Sequence, residues 1–113
     1  MFVSFENIGQ VCATFHCDDG VAVGAPCSMS RTGTVGASDD EENFIGVVES
    51  IKNNYACVTV RGFVTLPYSG TTPGIGYCTL TGDGAGKIKV CVDGNSYLVA
   101  AVDTVNKTAT ILL

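Results

Sequence analysis

The sequence predicts an all-β fold, a small antiparallel barrel or sandwich of about seven to nine short strands that ends in a C-terminal meander. Three observations predict this class. Short runs rich in Val and Thr recur along the chain and are separated by Gly, Asn and Asp, the residues that form tight turns. Gly is abundant, at 14 of 113 residues. No apolar repeat of helical period persists beyond a single turn.

Composition fits one folded domain, residues 1–113, and excludes several classes of partner. The chain is 46% hydrophobic and 15% charged, which is not the composition of a disordered protein. Its net charge is −5 and its six Lys and Arg are scattered singly, so we expect no nucleic-acid or anionic-membrane surface. The N-terminus MFVSFENIGQ lacks a basic targeting region, and no run reaches about 18 apolar residues. We expect a protein that is cytoplasmic when made.

The first two predicted strands lie at the start of the chain. Residues 10–16, QVCATFH, form the first and end at an Asp-Asp-Gly turn. Residues 21–30 form a second extended run that Pro26 interrupts. Proline has no N–H to donate to a β-ladder, so we expect this run at a sheet edge or leading into a loop.

Residues 31–43 predict a surface excursion with a short strand near Thr34-Val35. The excursion contains the only run of charges in the chain, four acids at 39–42. These acids lack the alternating oxygen ligands and central Gly of a calcium-binding loop, so they predict a solvated, outward-facing loop.

A β-hairpin around Asn53-Asn54 is the clearest local prediction. It joins a strand over 44–52 to a long strand over 55–66, and Asn tolerates the positive φ that a two-residue hairpin turn requires. Alternate positions of the long strand form an apolar face: Ala56, Val58, Val60, Val64 and Leu66. Gly62 interrupts this face, which predicts a bulge or a close backbone approach.

The C-terminal half predicts a structured loop followed by short strands. The loop is LPYSGTTPGIGY, residues 66–77, and strands follow near 76–81, 86–92, 96–103 and 107–113. The glycines of PGIGY and GDGAG precede no helix, so they predict turns and not a phosphate-binding loop. Asp83, between two glycines, and Asp93, followed by Gly94, predict turns as well.

Two sets of side chains are candidates for function. A weak metal-site candidate combines Cys12, His16, Cys17 and Cys27, although the chain has no C-x-x-C pair. One His for six Cys also argues against cysteine catalysis, so we expect no catalytic residue, no cofactor and no enzyme activity.

The second set consists of residues that we expect to contact a partner. An N-terminal arm, residues 1–9, carries Phe2 and Phe5, which either add to a neighbour's sheet or close the barrel end. The Pro/Gly loop contributes Leu66, Pro67, Tyr68 and Pro73. For Tyr68 the alternative is packing at the end of a barrel.

The chain after residue 20 resembles small structural proteins encoded beside capsid genes in tailed phages and prophages of Gram-positive gut bacteria, and more loosely head-decoration proteins. The resemblance is carried by Gly24-Ala25-Pro26, by Ile45-Gly46-Val47 and by Val58-Thr59-Val60-Arg61-Gly62. The six cysteines depart from the pattern. The resemblance implies a non-catalytic β module that packs on a capsid or other virion protein, as a closed homo-oligomer such as a trimer. It also implies residence in the virion where the phage is active.

Two other functions remain open at this point. A small β domain of this kind also fits a peptide- or glycan-binding module, although the absence of Trp disfavours glycans. A metal protein that uses the Cys/His set is the third hypothesis.

Overall fold

The computed structural model describes residues 10–113 and confirms the all-β class. This part of the chain forms no helix and therefore none that is long and apolar enough to cross a membrane. It forms ten strands, against the seven to nine expected. The strands are β1 (Val11–Cys17), β2 (Pro26–Arg31), β3 (Thr34–Ala37), β4 (Gly46–Lys52), β5 (Tyr55–Arg61), β6 (Phe63–Pro67), β7 (Gly76–Gly82), β8 (Ile88–Val90), β9 (Asn95–Asp103) and β10 (Thr108–Leu112).

The first five strands form a closed barrel in the order β1-β3-β2-β4-β5. Its small interior is filled by Cys27, Val35, Val48, Ala56 and Val58. The expectation that the run around Pro26 lies at a sheet edge is wrong, because β2 runs between β3 and β4. Pro26 is tolerated there as the first residue of its strand, a position where the ladder does not depend on its missing N–H.

The Asn53-Asn54 hairpin is confirmed. The two asparagines have φ of 50° and 66°, the left-handed values of a primed two-residue turn, and Lys52 pairs with Tyr55 across it. The turn sets the register in which β4 and β5 place Val48 and Val58 opposite each other in the barrel core.

Gly62 divides the predicted long strand between two sheets. Its backbone φ is 109°, a value that residues with a Cβ rarely adopt. Its carbonyl accepts a 2.9 Å hydrogen bond from the Leu113 amide. β5 before it belongs to the barrel and β6 after it belongs to the second sheet. One run, with apolar positions on both sides of Gly62, therefore supplies both cores.

The second sheet has the strand order β6-β10-β9-β7-β8. Its two outer strands approach each other at a bridge between Tyr68 and Ile88, so the sheet curls around its own core. That core contains Val64, Leu66, Tyr68, Leu80, Ile88, Tyr97, Val99, Ala109 and Ile111.

The expected C-terminal meander is interrupted at β8. β9 and β10 are neighbours as expected, but β9 pairs with β7, on the side of β7 opposite to β8. Leu80 of β7 pairs with Val90 on one side and with Asn95 on the other. The chain changes sides at Gly94, where a Cβ would lie 2.4 Å from the Leu80 carbonyl oxygen. Glycine permits this crossing because it has no Cβ.

Residues at and before a barrel strand also pack in the core of the second sheet. Phe44 and Val47, which lead into and lie in barrel strand β4, belong to the core of the second sheet. The Phe44 ring stacks on Tyr97 with 5.0 Å between centroids, and the Tyr97 hydroxyl donates to the Phe44 carbonyl at 3.3 Å. Contacts between the two sheets therefore include both ring packing and a hydrogen bond.

Candidate functional site

The acidic run at 39–42 joins the two sheets through its backbone. Glu41 donates its amide to the Gly82 carbonyl at 3.0 Å, and the Gly82 amide donates to the Glu42 carbonyl at 2.9 Å. Asp40 also forms an ion pair with Lys89 of β8. Most of the acidic side chains are exposed as expected, but the segment is held against β7 and β8 and does not extend freely into solvent.

The four residues of the weak metal-site candidate are not brought together. Cys12 and His16 are exposed on β1, Cys17 is partly buried against the barrel core, and Cys27 is inside that core. Among residues 10–113, no group of three or more His, Cys, Asp or Glu side chains could hold a metal ion. The barrel separates these ligands because successive positions on a strand point to opposite faces.

A polar cluster with a thiol lies on the outside of the barrel. The Thr59 hydroxyl donates to Glu49 at 2.6 Å and accepts from the Gln10 amide group at 3.0 Å. The Cys12 sulfur lies 3.5 Å from the same hydroxyl. Nearby, burial raises the pKa of the Cys57 thiol, and the adjoining Cys12 and Glu49 raise it further. A thiol with a raised pKa stays protonated and is a poor nucleophile, so the Cys57 thiol is not activated for catalysis.

The Pro/Gly loop does not present its predicted contact residues. Leu66, Tyr68 and Pro73 are buried, so the expectation that these three contact a partner from the surface is wrong. Pro67 is half-buried, and its contact with a partner stays a prediction. The loop turns inward because the Tyr68 amide donates to the Lys107 carbonyl at 3.0 Å and the following amide donates to Ile88 at 2.9 Å. The predicted contacts Phe2 and Phe5, with the rest of the 1–9 arm, lie outside the described residues.

Tyr68 instead fills the end of the second core, which was the alternative for this residue. Its side chain is 1% exposed, and its hydroxyl has no hydrogen-bond partner within residues 10–113. The ammonium of Lys107 lies 5.9 Å from the ring centroid, a cation–π distance. The residue is therefore a packing residue of the second core.

Asp83 is a turn former, as its glycine neighbours predict. Burial opposes its ionisation, but hydrogen bonds from the Ser69 hydroxyl and from two backbone amides outweigh burial and lower the pKa of Asp83. The amides belong to Ala85 and Lys87, at 2.7 and 3.1 Å. All of these bonds stabilise the turn between β7 and β8.

A cleft of about 480 Å³ opens beside β2 and β3 and is lined by acids. Its carboxylates are Asp18, Asp19, Asp39 and Glu42. Arg31 neutralises part of this charge through a 2.8 Å ion pair with Asp18. The remaining charge gives the cleft a negative potential.

The outer face of the second sheet carries an apolar row that crosses four strands. The register places Phe63 of β6 beside Leu112 of β10, Leu112 beside Leu98 of β9, and Leu98 beside Tyr77 of β7. Tyr77 is 80% exposed and Leu112 is 37% exposed. Phe63 and Leu98 are partly buried, so the exposed apolar surface of the row lies mainly on Tyr77 and Leu112.

The rest of this outer face is nearly uncharged. Its other members follow from the same register: Thr65, Pro67, Thr79, Ser96, Ala101, Asp103, Thr108 and Thr110. Asp103, at the margin, is the charged residue that these four strands contribute, and the register also places Lys89 of β8 beside Thr81 on the same side of the sheet. We call this surface, with the apolar row, the outer sheet face.

The outer sheet face is not among the surfaces predicted from the sequence, although the alternation of side chains along its strands indicates part of it. Alternation along each strand places Phe63, Leu98 and Leu112 opposite to buried neighbours. The strand order that makes them adjacent depends on the crossing at Gly94 and the sheet change at Gly62. Comparison with protein-family models and with curated proteins finds no match for this chain.

Proposed function

We propose that the chain is a non-catalytic structural component of a phage or prophage virion, which decorates or stabilises the capsid. The outer sheet face carries this proposal, because assembly needs a rigid surface that can be buried against another protein. The ladder hydrogen bonds of four neighbouring strands hold this face, so little conformational entropy is lost when it is covered. The resemblance to proteins encoded beside capsid genes supports the same function.

A peptide-binding module is the second candidate, and the acidic cleft favours it. Four carboxylates around a cleft of about 480 Å³ would attract a peptide that carries Lys or Arg. This function predicts one-to-one binding that weakens with salt, because exposed charges are screened.

Binding to capsid shells tests the proposed function. The purified protein is mixed with empty shells assembled from the major capsid protein of the same phage or prophage, and the mixture is sedimented. We expect saturable co-sedimentation at a fixed ratio to the capsid protein and a raised melting temperature of the shells, because bound protein stabilises the assembled state. Disassembled capsid protein is the matched control and should bind less.

Two results would contradict the proposal. One is no binding to shells at micromolar concentrations of both components. The other is equal binding to shells and to an unrelated basic protein, abolished by moderate salt, which would favour the acidic cleft and the peptide-binding function.

A further inference from the structure

We propose that Cys12 and Cys57 form a modification site: a small-molecule disulfide, such as oxidised glutathione, converts the two thiols into a reversible disulfide bond that fastens β1 to β5. This site goes beyond the proposed function and does not depend on it. The strand register, the exposure of Cys12 and the separation of the other cysteines support it.

The register of β1 and β5 places the two cysteines on one face of the barrel wall. Cys12 lies opposite Thr59 and Cys57 lies opposite Thr14, so the two cysteines are diagonal neighbours across one pair of strands. Val58, between Cys57 and Thr59, points into the barrel core. Because side chains alternate along a strand, both cysteines therefore point to the outside of the barrel.

The environment of the two side chains shows that the thiols adjoin. The Cys12 sulfur lies 3.5 Å from the hydroxyl of Thr59, which is the next residue after Cys57 on this face. Burial raises the pKa of the Cys57 thiol, and the neighbouring Cys12 thiol raises it further. One titratable group shifts the pKa of another strongly only within about 4–6 Å. The two sulfurs are therefore close neighbours.

Closing the bond requires a small movement that the end of β1 can make. Diagonal neighbours in a sheet have Cα atoms about 7–8 Å apart, whereas a disulfide spans about 4.4–6.8 Å. Cys12 is the second residue of β1, and the register against β5 shifts between Val11 and Cys12. The ladder is already interrupted there, so a shift of roughly 1 Å at Cys12 leaves the rest of the pairing in place. Strained disulfides are readily reduced, which makes this bond reversible.

The other four cysteines are kept apart by the fold. Cys27 is completely buried, and β3 lies between its strand and that of Cys17. Cys78 packs on the second core. The Cys91 amide donates to the Thr79 carbonyl at 3.1 Å, so Cys91 lies beside Thr79 and on the opposite side of the sheet from Cys78. In the described part of the chain, the proposed pair is therefore the one that a strand ladder brings together.

Two exchange steps account for the atoms and electrons. The exposed Cys12 thiol loses its proton and attacks one sulfur of the oxidant, whose S–S bond breaks as one small thiolate leaves. The Cys57 thiol then loses its proton and attacks the Cys12 sulfur of this mixed disulfide, which forms the Cys12–Cys57 bond and releases the second small thiolate. The protein thiols lose two electrons, and the oxidant gains them and takes up the two protons as two thiols. The second step is intramolecular, so the raised pKa of Cys57 slows it without preventing it.

The state of the pair should follow the redox state of the surroundings. Excess reduced glutathione, as in the cytosol, keeps both thiols free, and an oxidising medium closes the bond. The closed loop contains β2, β3 and β4, so the bond restricts the unfolded barrel and leaves the second sheet outside the loop.

The test exposes the folded full chain, at low concentration, to millimolar oxidised glutathione. Remaining thiols are alkylated, and the digested chain is analysed by mass spectrometry. We expect the loss of two of the six thiols and a pair of peptides linked through Cys12 and Cys57. Excess dithiothreitol should restore both thiols. Cys57→Ser should stop at Cys12 bound to glutathione, because the second step has no thiol. Cys91→Ser, which removes a partly buried cysteine of the second sheet, is the matched control and should still form the bond.

Three results would overturn the inference. The first is a folded chain that keeps all six thiols in oxidised glutathione. The second is a linkage between any other two cysteines or between two chains. The third is an unchanged chain in which Cys12 stays bound to glutathione as it does in Cys57→Ser, which would mean that Cys57 cannot reach the mixed disulfide.

Discussion

At the scale of single residues, burial decides what each cysteine can do. Cys27 is completely buried in the barrel core, where its sulfur donates a weak hydrogen bond to the Gly46 carbonyl at 3.7 Å. Burial raises the pKa of the Cys27 thiol to about 12. The same residue type is exposed at Cys12, where it borders the polar cluster around Thr59. Cys27 therefore acts as a small apolar residue of the core.

The Cys27 thiol should make the folded protein less stable as the pH rises through the alkaline range. Its pKa in the folded protein, about 12, lies above the ordinary value of 9.0, so the folded state holds the proton more tightly than the unfolded state. This contribution to stability is complete below pH 9 and is lost as the pH rises from 9 toward 12. The loss approaches about 1.4 kcal/mol per pH unit within that window.

The check is urea unfolding of the unchanged chain and of Cys27→Ala at pH 8 and at about pH 10.5. We expect the free energy of unfolding to fall less with pH in the variant. Val35→Ala, which shortens a buried side chain of the same core that does not titrate, is the control and should keep the full dependence. Parallel pH profiles for the unchanged chain and Cys27→Ala would show that this thiol is not the cause.

At the scale of elements, the close approach of β4 and β5 requires a glycine at position 46. Gly46 lies on β4 opposite Cys27 of β2, and a Cβ there would come within 2.2 Å of the Thr59 carbonyl oxygen and 2.8 Å of the Val58 side chain. Real Cβ atoms do not approach backbone oxygen this closely, so β4 and β5 pack at this point only because the residue is glycine.

Gly46→Ala should therefore destabilise the protein by about 2 kcal/mol or more, since an added methyl forces strands of a closed barrel apart. The measurement is the free energy of unfolding in denaturant. Gly74→Ala is the matched control, because a Cβ at Gly74 meets nothing within 4 Å and its φ is not in the left-handed region. Equal stabilities of the two variants would contradict the steric explanation.

At the scale of the whole molecule, Phe44 couples the barrel to the second sheet. Its ring is 3% exposed and stacks on Tyr97, although the chain around it leads into barrel strand β4. The acidic segment adds backbone hydrogen bonds between Glu41, Glu42 and Gly82 at the same junction. Because the two sheets share this packing, we expect them to unfold as one cooperative unit.

Phe44→Ala should lower the stability of both sheets together, by about 3–5 kcal/mol, because it removes a buried ring and leaves a cavity. Hydrogen exchange followed on peptides from β5 and from β9 measures each sheet separately. Val105→Ala is an exposed control and should leave both unchanged. Faster exchange in β9 with unchanged exchange in β5 would show that the two sheets unfold independently.

Much of the local structure could be predicted from sequence because its causes are local. Asn tolerates the positive φ that the turn at Asn53 and Asn54 requires, and alternation along 55–66 marks a core face in any sheet. The predictions for Pro26 and Tyr68 were wrong because the places of both residues depend on strands that are distant in the chain. Pro26 begins β2, which lies between β3 and β4 in the closed barrel. Tyr68 lies inward because its amide donates a hydrogen bond to the Lys107 carbonyl.

By itself, the sequence determined the all-β class, the hairpin, the turns and the apolar faces, since each depends on backbone preferences and on side chains that alternate along one strand. Only the tertiary structure decided which strands are neighbours. The apolar row needs Phe63, Tyr77, Leu98 and Leu112, which lie far apart in the chain and meet because the chain changes sheets at Gly62 and crosses β7 at Gly94. The sequence marks Gly62 as a break in the apolar face, but the sheet that each side of this break joins, and the close approach of Gly94 to Leu80, are properties of the packed molecule.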